Sequence, residues 1–309
     1  MKIRIFYVLA FISFLSFTSC SNDDDQNIEP AEATLTNIEI GLNNNERGII
    51  GRDFHLNADI VAGERIDMVS VDILPREHEE YAGDWSFNIS WDEYSGLRNT
   101  TVHKHFDIPD DAVEGVYDFI ITVSDENGSI SEEVRTITIF LPENLPVDPD
   151  LTTFNLSLNG NFIYRNGEFT ENETSLKVND TISSQADISS GKGDGKMYLI
   201  LINASLDHRP ETIDAIDFSK VIVYDYYEHS NWTDTETFSN FVFDLDSFEI
   251  VRDVPQMVIG AESDNAPEPN PIEGEKQWET GTYYFGLVYE NTTYNVGLFH
   301  YIEIEISGF

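Results

Sequence analysis

Period-two alternation is the feature that most constrains this chain. Phe54, Leu56, Ala58 and Ile60 fall on one face of an extended segment, and His55, Asn57 and Asp59 on the other, because successive side chains of a strand point to opposite sides. Val69, Val71 and Ile73 alternate again up to Pro75, Trp85, Phe87 and Ile89 make a further strand, and Tyr117, Phe119, Ile121 and Val123 another. Turn chemistry separates these runs at Asn43 to Gly48, at Ala62-Gly63-Glu64, and at Asp125-Glu126-Asn127-Gly128, a hairpin signal before the run from Ile130 to Ile139. With no convincing helical period between them, the pattern predicts an all-β, immunoglobulin-like β-sandwich over residues 34–140. The cysteine pair of antibody domains is missing: the one cysteine, Cys20, leaves the fold to rest on its cores.

A proline-rich segment, residues 141–150, reads as an extended, semi-stiff linker. Beyond it the chain partly repeats itself. Glu114-Gly115-Val116-Tyr117-Asp118-Phe119 returns as Thr280-Gly281-Thr282-Tyr283-Tyr284-Phe285, and Ala58-Asp59-Ile60 as Ala186-Asp187-Ile188. Residues 151–309 are therefore expected to form a second, diverged sandwich. Its glycine-rich stretch from Ser189 to Lys196 lacks the strand-loop-helix context of a phosphate loop and is expected to be a flexible hairpin.

The amino terminus reads as an address. Met1-Lys2-Ile3-Arg4 is a positive region, Ile5 to Phe17 an apolar one, and Thr18-Ser19-Cys20 a lipoprotein cleavage site. Residues 1–19 are then a signal peptide, Cys20 the lipidated first residue, and residues 20–33 a flexible acidic tether. Ser21-Asn22-Asp23-Asp24-Asp25 resembles the acidic export signal of Bacteroidota lipoproteins, which implies the outer membrane, at the cell surface.

Acidic residues number 57 against 17 Lys and Arg, a formal charge of -40. Such a surface repels phosphate backbones, which argues against nucleic acid as a partner, and attracts cations. There is no G-x-S-x-G elbow, H-E-x-x-H helix, P-loop or cysteine nucleophile. The expectation is a non-catalytic binding protein.

The most informative stretch runs from Asn99 to Asp125. His103 and His105 stand at alternate positions of a strand and so emerge side by side. Two such imidazoles reach one cation if a neighbouring strand supplies a third ligand; His55 and Asp118 are the first candidates, with His78 as a mobile donor. Zn, Cu, Ni and Fe(II) all suit such donors. A metal-binding lipoprotein could hand its ion to an outer-membrane importer. The competing reading is that the two histidines bond nearby carboxylates and close the sandwich edge. Calcium is a separate expectation, at Asp107, Asp110 and Asp111 or at Asp125 to Asn127. An alternative function is adhesion or carbohydrate binding through Tyr226, Tyr227 and Trp232 of the second domain, whose rings could stack on sugars.

His55, the run His103-Lys104-His105-Phe106-Asp107-Ile108-Pro109, then Gly115-Val116-Tyr117-Asp118-Phe119 and Val123-x-Asp125-x-x-Gly128 together resemble an uncharacterised domain family of Bacteroidota lipoproteins, domain of unknown function 4625. The resemblance covers the first domain only. It implies a surface lipoprotein and no established activity. The family commonly carries more histidine after the tyrosine of the third motif, where this chain has Asp118 and Ile120.

Overall fold

The computed structural model describes residues 30–170, 175–265 and 267–309. The signal peptide, Cys20 and the tether up to residue 29 lie outside the described residues. Among those described, no helix is long and apolar enough to cross a membrane, and short 3₁₀ turns are the only helical elements.

The first domain contains β1 (Thr34–Ile40), β2 (Arg47–Ile49), β3 (Asp53–Val61), β4 (Ile66–Pro75), β5 (Phe87–Trp91), β6 (Asn99–Asp107), β7 (Gly115–Asp125) and β8 (Ile130–Phe140). They form two sheets, β1-β3-β6 and β2-β8-β7-β4-β5. Every pairing is antiparallel except that of β2 along β8. This is an immunoglobulin-like sandwich, and alternation explains it. Phe54, Leu56 and Ile60 of β3 turn inward to meet Val71 and Ile73 of β4, Tyr117 and Phe119 of β7, and Ile137 and Ile139 of β8. Each such side chain contributes about 1.5–3 kcal/mol on burial. The complementary set, including His55, His103 and His105, is thereby turned out of the core.

The last residues before β1 are not free tether. The Ala31 carbonyl accepts from Asn127 Nδ2 at 2.9 Å and from Ser129 Oγ at 3.0 Å, and Ala33 is buried. A Cβ on Gly63 would stand 1.9 Å from that carbonyl oxygen, so the chain can pass here only over glycine. The segment 141–150 is pinned as well. Glu114 accepts from the Leu141 amide at 3.2 Å and from Asn144 Nδ2 at 2.8 Å, and Arg52 pairs with Asp148.

The second domain comprises β9 (Asp150–Leu158), β10 (Asn161–Arg165), β11 (Glu168–Phe169), β12 (Ser175–Lys177), β13 (Thr181–Asn203), β14 (Val221–Ser239), β15 (Val242–Asp244), β16 (Glu249–Arg252), β17 (Gln256–Val258), β18 (Gly281–Asn291) and β19 (Val296–Ser307). Its wiring repeats that of the first. The first half of β13 lies between β9 and β17, as β3 lies between β1 and β6. The second half pairs with β14 and β18, as β4 pairs with β5 and β7. β12 runs parallel to β19 as β2 does to β8. What differs is that β13 is continuous where β3 and β4 are separate strands.

The glycine-rich stretch therefore corrects the hairpin expectation: Ser189 to Lys196 lie within β13, with register shifts at Gly191, Gly193 and Gly195. The reason is the aromatic cover from its neighbours. A Cβ on Gly195 would lie 2.4 Å from His229 Nε2 and 2.8 Å from the Tyr289 hydroxyl. These glycines let side chains cross over a bent strand.

Candidate metal centre

Antiparallel register sets His55 of β3 directly opposite His105 of β6, and Asn57 opposite His103. Ring centroids lie 5.1 Å apart for His55 and His103, 5.2 Å for His55 and His105, and 5.3 Å for His103 and His105. The three imidazoles thus form a triangle on the outer face of the β1-β3-β6 sheet.

The fourth member comes from the other domain. Glu211 sits on the loop between β13 and β14 and reaches His55 Nδ1 at 3.1 Å, His105 Nε2 at 3.1 Å and His103 Nε2 at 3.7 Å. One ligand atom from each of His55, His103, His105 and Glu211 lies within 4.8 Å of every other, and among the described residues this is the one such group. The loop is held firmly. Ile213 and Ile216 bury into a small second core with Ile200, Ile202, Val221, Val223 and Val288 on the outer face of the sheet. Tyr301 donates its hydroxyl to the Pro210 carbonyl at 2.5 Å, and the Arg209 guanidinium lies 5.3 Å from the Tyr301 ring centre. Glu211 therefore projects from a braced position.

Contacts between the domains hold the facing surfaces in place. Arg47 Nη1 donates to the Tyr294 carbonyl at 2.6 Å, and Asn45 Nδ2 to that of Asn295 at 3.3 Å. His105 meets the edge of Phe299 at 6.3 Å. Under this cover the His55 side chain is only 9% exposed, whereas that of His103 is 51% exposed. A cavity of about 240 Å³, lined by His55, His103, His208, Arg209 and Glu211 among others, opens beside the triangle.

Two further carboxylates stand behind the imidazoles. Asp53 Oδ2 is 2.6 Å from His105 Nδ1, and Glu39 Oε2 is 3.6 Å from His55 Nε2, an atom that is buried without a hydrogen-bond partner. Burial disfavours a charge on His55, but Glu211 and Glu39 outweigh it and raise its pKa to about 9. Asp53, and then Glu211, raise that of His105 to about 10. His103 shifts down through burial and the charges on its two neighbours, against the pull of Glu211. Burial acts to raise Glu211, yet hydrogen bonds from His105 and His55 prevail and hold it at about 2.

Of the residues picked from the sequence, His55, His103 and His105 come together and Asp118 does not. Asp118 is on β7, in the opposite sheet, with its side chain pointing away from the core beside Tyr117 and Phe119; it pairs with Arg76 Nε at 3.0 Å. The sandwich core separates it from the histidines. His78 lies on the turn after β4, outside the group. Of the calcium candidates, Asp125 already accepts from the amides of Glu64 at 2.9 Å, Asn127 at 3.1 Å and Arg65 at 3.3 Å. Glu211 had no local signal. The one hint was the unbroken apolar run from Met197 to Ile202, which requires cover on both faces of its sheet.

The aromatic candidates also separate. Tyr227 lies between Phe238, stacked at 5.2 Å, and the Arg252 guanidinium at 4.3 Å, so neither of its faces is free. Tyr226 packs on Tyr198 at 4.7 Å and donates to Glu228 at 2.5 Å. Trp232 has one face on His229, at 4.2 Å, and remains half-buried at the rim.

These features define an all-β protein of two immunoglobulin-like sandwiches with a histidine–carboxylate cluster where they meet. Residues 18–140, which span the first domain, match the family model described as domain of unknown function (DUF4625). No curated protein sequence matches the chain. Among solved structures it is similar to dimeric latent PorU from Porphyromonas gingivalis, at 11% identity and TM-score 0.23, over 90% of this chain and 34% of that one. It is also similar to a carbohydrate-binding module of the β-sandwich superfamily, at 10% identity and TM-score 0.24, over 68% and 84% of the two chains. A third is trypsin-activated alpha-2-macroglobulin from Escherichia coli, at 8% identity and TM-score 0.24, over 90% and 17%. The chain thus spans about a third of the length of PorU, and scores of this size carry no functional information.

Proposed function

We propose that the protein is a non-catalytic, lipid-anchored metal-binding module that holds one divalent transition metal at His55, His103, His105 and Glu211. The observation that carries this reading is the convergence of four donor atoms within 4.8 Å of one another. Bonds of about 2.0–2.1 Å to a tetrahedral zinc ion place neighbouring donors about 3.3 Å apart. His55 Nδ1 and His105 Nε2 each lie 3.1 Å from Glu211 Oε2, close to that edge, and His103 Nε2 lies 3.7 Å from the other oxygen, Oε1. The outer carboxylates support it too. A metal-bound imidazole characteristically donates its other ring N–H to a carboxylate, fixing the tautomer, and Asp53 stands at 2.6 Å from the far nitrogen of His105, with Glu39 nearby at 3.6 Å from that of His55.

Three nitrogens and one carboxylate oxygen suit Zn first and accept Cu, Ni or Fe(II). With Cys20 lipidated, the site would stand at the outer surface of the outer membrane, where the acidic exterior concentrates cations for an importer. Metal analysis and zinc titration of the wild type and of a His103→Ala/His105→Ala double variant test the assignment. One equivalent in the wild type and loss in the double variant are expected. Equal binding by both would leave the cluster as an ion-paired contact between domains.

A further inference from the structure

A second site lies on the other domain. A cavity of about 440 Å³ opens where the end of β14 meets the β15–β16 hairpin, lined by Gln185, Asp187, Trp232, Glu236 and Phe243 among others; ligand pockets commonly run from about 300 to 1,000 Å³. We infer that this cavity binds a neutral hexose unit of a polysaccharide, with Trp232 and Phe243 as stacking rings and Asp187, Gln185 and Glu236 as hydroxyl partners.

The rings supply the apolar half of the recognition. Trp232 rests one face on His229 and turns an edge to Phe238 at 6.0 Å, which fixes its plane while its ring lines the cavity. Phe243 lines the same cavity from the hairpin and is 43% exposed. Phe248 meets Phe243 edge-on at 6.4 Å and is 77% exposed, with its backbone at φ +57°. A bulky residue in that left-handed region is strained. Here the strained turn leaves a ring exposed to solvent against Phe243. Trp232 and Phe243 thus put two rings on the cavity wall, with Phe248 against Phe243 beside it, which suits a sugar that extends past the cavity.

The polar half is set in advance. Asp187 Oδ1 accepts from Gln185 Nε2 at 3.0 Å and from Ser239 Oγ at 2.5 Å. The carboxylate is thereby oriented before any ligand arrives, and Glu236 is exposed beside it. Carboxylates only accept hydrogen bonds, and sugar hydroxyls donate them, while the C–H face of a hexose stacks on an aromatic ring. The lining includes no basic residue, and the chain carries a formal charge of -40. Both features disfavour uronate and sulfated chains. A small organic cation would draw on the same rings and carboxylates, and is the occupant the test must separate from a sugar.

The test is affinity gel electrophoresis of the mature chain through mannan, laminarin, xyloglucan and starch, with alginate as the anionic comparison and choline as a competitor. Retardation by at least one neutral glycan is expected, weakened at least tenfold by Trp232→Ala and by Phe243→Ala. The exposed Phe243 can be truncated without disturbing the core, so an unchanged melting temperature in that variant excludes misfolding as the cause. Zinc binding should be unaffected in both variants. No retardation by any neutral glycan, retention in both variants, a preference for alginate, or displacement by choline would each overturn the inference.

Discussion

Replacing Glu211 by alanine tests how the cluster is built. The substitution removes the only member that the second domain contributes, and with it contacts of 3.1 Å to His55 and His105. In the metal-free protein it deletes hydrogen bonds between charged groups, worth about 1.5–3 kcal/mol when enclosed and less here because His105 is partly open to water. In the metal-bound protein it deletes one ligand of four. A tenfold to hundredfold weaker affinity, or about 1.4–2.7 kcal/mol, is a reasonable floor. At free zinc one hundred times the wild-type dissociation constant, binding stabilises the wild type by about 2.7 kcal/mol. At about 2–4 °C per kcal/mol for chains of this class, that is a rise of roughly 5–11 °C in melting temperature. The variant at the same zinc concentration should gain only about 0.4–1.4 kcal/mol, or roughly 1–6 °C. Differential scanning fluorimetry with zinc and with chelator reads both effects, and titration calorimetry gives the affinity. His103→Ala is the companion, since its half-exposed side chain should weaken zinc binding with little effect on the metal-free protein. An undiminished zinc shift in the Glu211→Ala variant would refute the four-ligand site.

Three other outcomes follow from the packing. Tyr301→Phe should lower stability by about 1 kcal/mol and zinc affinity several-fold by titration, because the lost hydroxyl braces the Glu211 loop through the Pro210 carbonyl. Asp125 is held below the usual carboxylate range: burial opposes this, but the amides of Glu64, Asn127 and Arg65 prevail. Its stabilisation is therefore complete above the unfolded value near pH 4 and fades as pH falls through the folded value. Asp125→Asn should unfold at lower urea than the wild type at pH 7, by about 1–3 kcal/mol, with the gap closing as the pH falls below the unfolded value near 4. Lys276→Met should cost about 3–5 kcal/mol in the same assay, since Lys276 Nζ lies 3.0 Å from an Asp264 carboxylate that is only 1% exposed.

The sheets and the histidine pair were legible along the chain. Strand periodicity separates inward from outward residues without any knowledge of partners, so the face of β3 bearing His55 and the face of β6 bearing His103 and His105 followed from alternation alone. The repeat was legible too, because Tyr117 and Phe119 recur as Tyr283 and Phe285, all four buried. The glycines of β13 read along the chain as a flexible hairpin because their purpose, room for His229 and Tyr289, lies on other strands. Asp118 reads as a partner of the histidines for a related reason: alternation says which way a side chain points from its own sheet, and not which of two sheets its strand joins.

Local sequence thus determined the strands, their inward and outward faces, and the adjacency of His103 and His105. Tertiary structure decided that His55 pairs across from His105, that Asp118 lies beyond the core, and that Glu211 closes the group from 106 positions away along the chain. Side-chain direction in a strand is fixed by the covalent backbone over a few residues, whereas a side chain contributed by another domain depends on how two surfaces distant in the chain meet. No period in the sequence encodes that distance.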